Sequence, residues 1–278
     1  MNTDLPKLIA TDLDGTFLSP DGTVSELNLR AVLAAAEAGI AVVFATGRPP
    51  RWLNVINELP IAPDHPLATS HTEVIASNGA LLWDLTTDSQ VHAEPVDAGV
   101  AREVITEVRR LVPGSAFAVE CGIEFGYEPT FHTLMSTQER RDPRFLEAPA
   151  EELVARPIVK LLVQNLHHNG DDLAAAVHAA VGDTVTVTHS MTTSVGLVEL
   201  SAPGISKASM LARYAAEKGI DPADVAAFGD MPNDRSMLDW AGRPHVMAQA
   251  HESLDSVGVR IGSNADSGVG RTILSWLA

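Results

Sequence analysis

Residues 8–16 read Leu-Ile-Ala-Thr-Asp-Leu-Asp-Gly-Thr, an apolar run that leads into two aspartates separated by a single residue. A short apolar run of this kind is typical of a buried strand. The run therefore places the carboxylates of Asp12 and Asp14 at the carboxyl end of a strand. In that position one carboxylate could act as a nucleophile while the other moves a proton, which makes this stretch a candidate reaction centre.

The elements on either side of this strand place the chain in the α/β class. Strands are predicted at residues 8–12, 40–45, 73–77, 225–228, 245–247 and 259–261. Helices are predicted near residues 26–38, 50–58, 206–218, 233–240 and 268–277. Ser25 is expected to cap the first helix and Gly39 to end it. Because buried strands alternate with helices, we predict a Rossmann-like sheet of parallel strands.

The middle of the chain has a different pattern and predicts a second, inserted domain. Its elements are predicted as helices near 97–111 and 170–180 and strands at 81–83, 116–120, 159–164, 184–189 and 196–200. Residues 184–188 alternate Thr and Val, which suits a sheet with one covered face. We therefore predict a core domain formed by residues 1–80 and 202–278, with an inserted α+β domain at residues 81–201.

The composition argues against polyanionic partners. The 278 residues include 19 Lys and Arg against 36 Asp and Glu, a formal net charge of −17. Nucleic acids and anionic membranes are themselves negatively charged, so we expect neither as a partner. No apolar run approaches the ~20 residues of a membrane span, and residues 1–7 do not resemble a signal peptide. A cytoplasmic location is the expectation that follows.

Polar groups recur at the predicted carboxyl ends of the core strands, which is where open parallel sheets bind ligands. Besides Asp12 and Asp14, the groups in question are Thr46 with Gly47, Asn78 with Gly79, Asp230 with Asn233 and Asp234, and Lys207 at a helix start. Each motif is weak when taken singly, because Asp21-Gly-Thr23 repeats the first tripeptide in a loop where only turn chemistry is expected. Their agreement in type, order and position predicts one shared site.

Four segments together resemble the motifs of the haloacid dehalogenase-like phosphatases. They are Asp12-Leu-Asp14-Gly-Thr, Thr46-Gly-Arg, Lys207 and Gly229-Asp-Met-Pro-Asn-Asp234. Ser77-Asn-Gly-Ala80 and Ser263-Asn-Ala-Asp-Ser-Gly268-Val are similar to the Cof-type branch of that superfamily. In that branch a large α/β cap domain is inserted between the second and third motifs, which is where the inserted domain is predicted here.

The resemblance implies a reaction centre built on carboxylates. Asp12 is the expected nucleophile, which forms an aspartyl phosphate, and Asp14 is the expected acid and base. Mg²⁺ is the expected cofactor, held by Asp12, the main-chain carbonyl of Asp14 and Asp230. Asp14 favours hydrolysis, because superfamily members that must keep their aspartyl phosphate, such as ion pumps, carry Thr at that position.

The resemblance also implies which residues bind the rest of the substrate. The expected phosphate-binding residues are Thr46, Gly47, Lys207 and Asn233. Asp234 is expected to hold Lys207 or a metal-bound water. Arg48 and Asn78 are candidate substrate contacts. Residues 120–128 of the inserted domain leave two interpretations open, a specificity loop or an ordinary strand-turn-strand.

The expected function is the hydrolysis of small phosphate monoesters, with sugar phosphates first. The expected partner is a small phosphorylated metabolite, and the chain is expected to act as a monomer or a homodimer. A phosphotransferase of the sugar-phosphate mutase type, which uses the same aspartyl phosphate, is the main alternative. A binding module without turnover is the second alternative.

Overall fold

The computed structural model describes residues 5–61, 64–70, 72–132, 142–190 and 194–278. The described residues divide into two compact units, each of which is built from more than one stretch of chain. The core unit comprises the described residues of Met1–Arg48, Trp52–Val91 and Ser206–Ala278. The inserted unit comprises Pro49–Arg51 and the described residues of His92–Ile205.

Strands and helices alternate at both ends of the chain. The strands are β1 (Leu8–Thr11), β2 (Ala41–Ala45), β3 (Glu73–Ala76), β4 (Leu81–Asp84), β5 (Ser89–Ala93), β6 (Ala116–Cys121), β7 (Glu124–Tyr127), β8 (Phe145–Glu147), β9 (Lys160–Asn165), β10 (Thr186–Thr188), β11 (Gly196–Ser201), β12 (Val225–Gly229), β13 (Arg243–Val246) and β14 (Val259–Arg260). The helices are α1 (Glu26–Glu37), α2 (Asn54–Asn57), α3 (Pro66–Ser70), α4 (Ala98–Leu111), α5 (Ala150–Leu153), α6 (Gly170–Val181), α7 (Lys207–Glu217), α8 (Arg235–Trp240) and α9 (Gly268–Leu277).

The core unit is built on an eight-stranded sheet in the order β14-β13-β12-β1-β2-β3-β4-β5. The strands from β14 to β3 are parallel, and β4 runs antiparallel to β3. In the middle of the sheet, Leu8 of β1 pairs in register with Ala41 of β2 and Val225 of β12. All residues of β1 are buried, as expected for a central parallel strand. The predicted α/β class with a parallel core sheet is confirmed.

Helices cover both faces of the core sheet. On one face, α7 and α8 contribute Met210 and Met237 to a buried cluster that also contains Leu8 of β1. On the other face, the ring of Trp276 in α9 lies 5.9 Å from the ring of Phe228 in β12, measured between centroids. Burial of these apolar faces supplies the main driving force for assembling the unit.

The first helix begins and ends where its sequence predicts. The Ser25 hydroxyl accepts a hydrogen bond from the Asn28 N–H at 3.1 Å, and Gly39 adopts φ +81° just after the helix. The buried side chain of Asn28 then bridges two other segments. Its Nδ2 donates to the Phe17 carbonyl at 2.7 Å, and its Oδ1 accepts from the Gly270 N–H at 2.8 Å. Helix α1 is thereby tied both to the loop after β1 and to α9.

The inserted unit is built on a six-stranded sheet in the order β10-β11-β9-β6-β7-β8. Its strand pairs are antiparallel except for β7 and β8, which are parallel. Helices α4 and α6 cover one face, where Val104 and Val177 join a buried cluster with Phe117 of β6 and Leu161 of β9. On the opposite face, Phe125, Tyr127 and Leu162 belong to a second buried apolar cluster. The sheet is therefore apolar on both faces, whereas the alternating residues predict one apolar face only.

Two stretches differ from the sequence predictions. Residues 81–83 are predicted as a strand of the inserted domain, whereas β4 pairs with β3 in the core sheet. The core unit consequently continues to Val91, and the inserted unit ends at Ile205. The helix predicted over 50–58 is interrupted, with a single 3-10 turn at Pro50–Trp52 followed by α2. Leu53 separates the two segments and occupies the N-cap position of α2.

Residues 120–128 contain a β-hairpin, in which Cys121 of β6 pairs with Glu124 of β7 across Gly122 and Ile123. The strand-turn-strand interpretation therefore describes this stretch. Across the part of the chain that the structure describes, no helix has both the length and the apolar character needed to cross a membrane.

Candidate active site

The ammonium group of Lys207 lies between two buried carboxylates. Its Nζ donates to Oδ1 of Asp12 at 2.5 Å and to Oδ1 of Asp234 at 2.6 Å. Lys207 and Asp234 are fully buried, and Asp12 is 5% exposed. Asp12 follows β1, Asp234 follows the neighbouring strand β12, and Lys207 begins α7. The parallel sheet thus gathers residues that are far apart in sequence at the carboxyl ends of its strands.

Asp234 supports both Lys207 and the loop after β12. Its Oδ2 accepts the backbone N–H groups of Asp230 at 2.9 Å and Met231 at 3.0 Å. Gly229 makes this close packing possible, since a Cβ at that position would lie 2.5 Å from the Cβ of Asp234. Both oxygens of the Asp234 carboxylate are therefore engaged in hydrogen bonds.

Asp230 contacts the loop after β1. Its Oδ1 accepts a hydrogen bond from the Thr16 hydroxyl at 2.9 Å. The loop comes so close that a Cβ on Gly15, which adopts φ +77°, would lie 2.1 Å from Oδ2 of Asp230. Position 15 requires a positive φ angle and leaves no room for a Cβ, and only glycine meets both requirements. Asp12, Asp230 and Asp234 each offer a carboxylate oxygen within 4.8 Å of the others.

The pKa shifts in this cluster show a shortage of positive charge. Burial raises the pKa of Asp12 well above its ordinary value; Lys207 opposes the shift, while Asp234 and Asp230 add to it. Burial, followed by the charge of Asp234, raises the pKa of Asp230 to about 7. Burial alone would lower the pKa of Lys207, but the charges of Asp12 and Asp234 outweigh it and raise that pKa. Three carboxylates face one ammonium group.

The donor set of this cluster fits a hard divalent cation. Carboxylate oxygens are the ligands that Mg²⁺ prefers in proteins. The oxygens of Asp234 already accept hydrogen bonds from Lys207 and from two backbone N–H groups. Asp12 and Asp230, whose carboxylates are destabilised by burial, are therefore the two members best suited to a cation. A bound cation would favour their ionised forms.

Asp14 is paired with Arg48. Nε of Arg48 donates to Oδ2 of Asp14 at 2.7 Å, and its second terminal nitrogen donates to Oδ1 at 2.6 Å. The other terminal nitrogen of Arg48 donates to the Trp52 carbonyl at 3.2 Å. Asp14 and Arg48 lie after the adjacent strands β1 and β2, which explains how residues 34 apart in sequence meet. The Asp14 side chain is exposed.

The loops after β2, β3 and β12 meet at a second group of polar residues. The Asn78 N–H donates to the Thr46 carbonyl at 2.9 Å. The Thr46 hydroxyl accepts from the Arg48 N–H at 3.1 Å. Nδ2 of Asn233 donates to Oδ1 of Asn78 at 3.0 Å, beside the α-carbon of Gly47. Thr46, Asn78 and Asn233 are all buried.

The structure thus arranges the residues singled out in the sequence into three sets. They are Asp12 with Lys207, Asp230 and Asp234; Asp14 with Arg48; and Thr46 and Gly47 with Asn78 and Asn233. The Arg48–Asp14 and Asn78–Asn233 pairs and the contact of the Thr16 hydroxyl were not predicted from the sequence. Thr16 could have been identified from the sequence, because it is the last residue of the Asp-Leu-Asp-Gly-Thr stretch. The two pairs depend on strand order, which no local motif contains.

The parallel sheet, with buried carboxylates and a buried lysine beyond the carboxyl ends of its strands, defines an α/β protein with a candidate active site at that edge. The chain matches the family model of haloacid dehalogenase-like hydrolases over residues 9–273, and it belongs to that family. Relatives that align over nearly the whole of both chains are named phosphatases, and the chain is an enzyme of the haloacid dehalogenase-like phosphatase class.

Three of these similarities span almost the whole chain. The pyridoxal phosphate phosphatase YbhA of Escherichia coli is 26% identical over 288 residues, with 98% of each chain covered. The 5-amino-6-(5-phospho-D-ribitylamino)uracil phosphatase YbjI of E. coli is 28% identical over 270 residues, covering 95% of this chain and 93% of its own. The solved structure of the sugar phosphatase BT4131 has a TM-score of 0.77 at 19% identity, covering 97% of this chain and 98% of its own, and shows the shared fold.

Proposed function

We propose that this enzyme is a Mg²⁺-dependent phosphatase that hydrolyses small phosphate monoesters through an aspartyl phosphate on Asp12. The observation that carries the proposal is the buried Asp12 carboxylate, which Lys207 holds beside Asp230. A carboxylate fixed in this way has a defined direction of attack. Positive charge next to it stabilises the negative charge of the transferring phosphoryl group.

In the first half-reaction, a carboxylate oxygen of Asp12 forms a bond to phosphorus. The bond from phosphorus to the leaving oxygen breaks, and that oxygen takes a proton from Asp14. The alcohol departs, and the phosphoryl group is held as an acyl phosphate on Asp12.

In the second half-reaction, the oxygen of a water molecule attacks the phosphorus of the aspartyl phosphate. Asp14 takes a proton from that water, and the bond from phosphorus to the Asp12 oxygen breaks. Inorganic phosphate is released, and the Asp12 carboxylate and the proton on Asp14 are restored.

The Arg48–Asp14 pair sets a condition on both proton transfers. Arg48 donates a hydrogen bond to each of the two oxygens of the Asp14 carboxylate. Any proton that Asp14 transfers has to leave or reach one of these two oxygens, so at least one contact with Arg48 must share its oxygen with that proton or be released.

Asp12, Asp230 and the main-chain carbonyl of Asp14 are the groups that would hold Mg²⁺. When bound, Mg²⁺ supplies positive charge that offsets the repulsion between the carboxylates and a phosphate dianion. We assign phosphate binding to Thr46, Gly47, Lys207 and Asn233. Asp234 is assigned to hold Lys207, in keeping with the 2.6 Å contact between them.

The substrate class is proposed from the relatives. YbhA is named for pyridoxal phosphate, YbjI for a phosphoribitylamino uracil and BT4131 for sugars, all of which point to small phosphate esters. We therefore propose phosphorylated metabolites of this size as substrates, with sugar phosphates first. The inserted unit is proposed to be the cap that distinguishes among them.

The proposal is tested by measuring phosphate release from p-nitrophenyl phosphate with Mg²⁺ and with EDTA. We expect release that requires Mg²⁺ and is lost in Asp12→Asn, since an amide oxygen is a poor nucleophile. Part of the Mg²⁺ binding is expected to survive in that variant, because Asp230 remains. Full activity of Asp12→Asn would rule out the aspartyl phosphate.

Asp21→Asn is the matched control for this variant. Asp21 begins the second Asp-Gly-Thr tripeptide, and its carboxylate accepts hydrogen bonds from the backbone N–H and the hydroxyl of Thr23 in an exposed loop. Its activity is expected to equal that of the unchanged enzyme. Product analysis in isotopically labelled water separates a phosphatase from a mutase, because only hydrolysis transfers the water oxygen to phosphate.

A further inference from the structure

Three consecutive residues after β3 adopt the left-handed backbone conformation. Their φ angles are +51° at Ser77, +57° at Asn78 and +92° at Gly79. This region is unfavourable for residues with a side chain, although asparagine tolerates it better than most. Such a conformation persists where the surrounding structure holds it, and strained residues of this kind cluster at functional sites.

Backbone contacts fasten this turn to two segments of the proposed phosphate site. The Ser77 N–H donates to the Arg48 carbonyl at 3.0 Å, and the Asn78 N–H donates to the Thr46 carbonyl at 2.9 Å. On its other side, a Cβ at Gly79 would lie 2.0 Å from the Ser206 carbonyl oxygen. The turn is thus packed between the loop after β2 and the start of α7.

The side chain of Asn78 contacts a third segment, the loop after β12. Its Oδ1 accepts a hydrogen bond from Nδ2 of Asn233 at 3.0 Å, and both residues are buried. The two amides lie against Gly47, because a Cβ there would be 3.1 Å from Oδ1 of Asn78 and 3.7 Å from Nδ2 of Asn233. The pair is therefore next to the loop that is assigned to bind phosphate.

The hydrogen bond fixes the orientation of the Asn233 amide. An amide nitrogen carries two protons, so Asn78 engages one of them and the second is available to a ligand. Oδ1 of Asn233 is buried and accepts no hydrogen bond within the described residues. A buried acceptor of this kind costs free energy until a donor binds it, and a protonated phosphate oxygen or a water molecule can supply that donor.

We propose that Asn78 is a positioning residue, whose amide oxygen orients Asn233 so that the Asn233 amide binds the phosphate group. This inference rests on the proposed function, because it takes Asn233 to be a phosphate-binding residue. It replaces the expectation that Asn78 contacts the substrate itself. The left-handed conformation at residues 77–79 directs the Asn78 side chain toward the amide of Asn233.

A double-mutant cycle on phosphate affinity tests the proposal. The dissociation constant of inorganic phosphate is measured by calorimetry in the presence of Mg²⁺ for the unchanged enzyme, Asn78→Gly, Asn233→Ala and the double variant. Glycine accepts φ +57° without strain, so Asn78→Gly removes the amide while retaining the turn. Should it fail to fold, Asn78→Ser replaces it in the same cycle.

We expect each single variant to weaken phosphate binding about tenfold, the effect of one hydrogen bond, and the double variant to weaken it by the same factor. An effect near a hundredfold in the double variant would show that Asn78 acts independently of Asn233, and it would overturn the proposal. Normal phosphate affinity in Asn78→Gly would overturn it as well. If the unchanged enzyme bound no phosphate, the proposed function itself would fail.

Asp88→Gly is the matched control. Asp88 also adopts a left-handed conformation, at φ +46°, and its carboxylate accepts a hydrogen bond from Nε1 of Trp83 at 3.1 Å. This variant therefore loses one side-chain hydrogen bond and one strained position, as Asn78→Gly does, but in the turn between β4 and β5. Its phosphate affinity is expected to match that of the unchanged enzyme.

Discussion

Arg48 engages both oxygens of the Asp14 carboxylate, at 2.6 and 2.7 Å, and its guanidinium group also donates to the Trp52 carbonyl at 3.2 Å. The guanidinium group is thus directed at the proposed acid and base of the reaction. This arrangement favours a role in orienting Asp14 over the role of substrate contact that the sequence suggested. The two roles predict different kinetics.

Replacing Arg48 by Met is expected to lower kcat about tenfold or more, while KM changes by less than about twofold, because general acid–base catalysis depends on orientation. Steady-state kinetics with a sugar phosphate provide the measurement. Arg144→Met is the control, since Arg144 forms a similar pair with Asp142 in the inserted unit. A raised KM with an unchanged kcat would instead identify Arg48 as a substrate contact.

Replacing Lys207 by Met is expected to destabilise the protein by about 3–5 kcal/mol, because it leaves two buried carboxylates without their cation. Urea unfolding in EDTA measures this effect. Lys160→Met is the control, since the buried ammonium group of Lys160 lies 2.7 Å from Glu199 in the inserted unit. Both variants should lose stability, but only Lys207→Met should also lose phosphate binding; retained binding would contradict the assignment of Lys207.

The affinity for Mg²⁺ is expected to fall below about pH 7. Without metal, Asp230 has a pKa of about 7, raised by burial and by the charge of Asp234, so it carries a proton at lower pH. Mg²⁺ must displace that proton, which costs about tenfold in affinity for each pH unit below the pKa. Calorimetric titration across the pH range measures this dependence. An affinity that did not vary between about pH 5 and 7 would contradict it.

The same shift predicts how the stability of the metal-free enzyme depends on pH. Because the folded-state pKa is raised, the folded protein binds the Asp230 proton more tightly than the unfolded chain does. The proton on Asp230 stabilises the folded protein fully below the pKa of the unfolded chain, near 4. This stabilisation is lost as the pH rises to about 7, at about 1.4 kcal/mol per pH unit. Asp230→Asn should reduce this slope in denaturation experiments performed in EDTA, and an unchanged slope would assign it to other groups.

Adding a methyl group at Gly79 is expected to destabilise the protein more than the same change at Gly22. Both glycines have positive φ angles, of +92° and +81°. A Cβ at Gly79 would lie 2.0 Å from the Ser206 carbonyl oxygen, whereas a Cβ at Gly22 would meet nothing within 4 Å. Gly22→Ala should cost about 1–2 kcal/mol from its backbone alone, and Gly79→Ala clearly more. Equal losses in thermal denaturation would argue against the close contact.

The regular elements of the core could be predicted because their causes are local. The buried run at residues 8–12 and the cap at Ser25 gave β1 and α1 within a residue or two. In the inserted unit, helix α4 follows likewise from its amphipathic pattern, predicted at 97–111 and found at Ala98–Leu111. The clustering of Asp12 with Lys207, Asp230 and Asp234 was also predictable, because parallel strands bring their carboxyl ends to one edge.

Features that depend on pairing could not be predicted in this way. Strand β5 is largely exposed and has only two apolar residues, Val91 and Ala93, too few for its alternation to predict a strand. The sequence of β4 is a short apolar run, which does not show to which sheet the strand belongs. Its antiparallel pairing with β3 places it in the core sheet. The contact between Arg48 and Asp14 requires β1 and β2 to be neighbours, a fact about topology rather than spacing.

The position of β1 in the middle of the core sheet has a consequence for how the enzyme folds during synthesis. In the sequence, its partner β2 precedes the inserted unit and its partner β12 follows it. The sheet of the inserted unit is complete once Ser201 has been synthesised. The contact of Asp12 with Lys207 can form only after a further 195 positions have been synthesised. The contact of Thr16 with Asp230 likewise requires a further 214 positions. Contacts of such separation form slowly. The reaction centre is therefore assembled late on the ribosome, and a truncated chain that lacks β12 would have no active site.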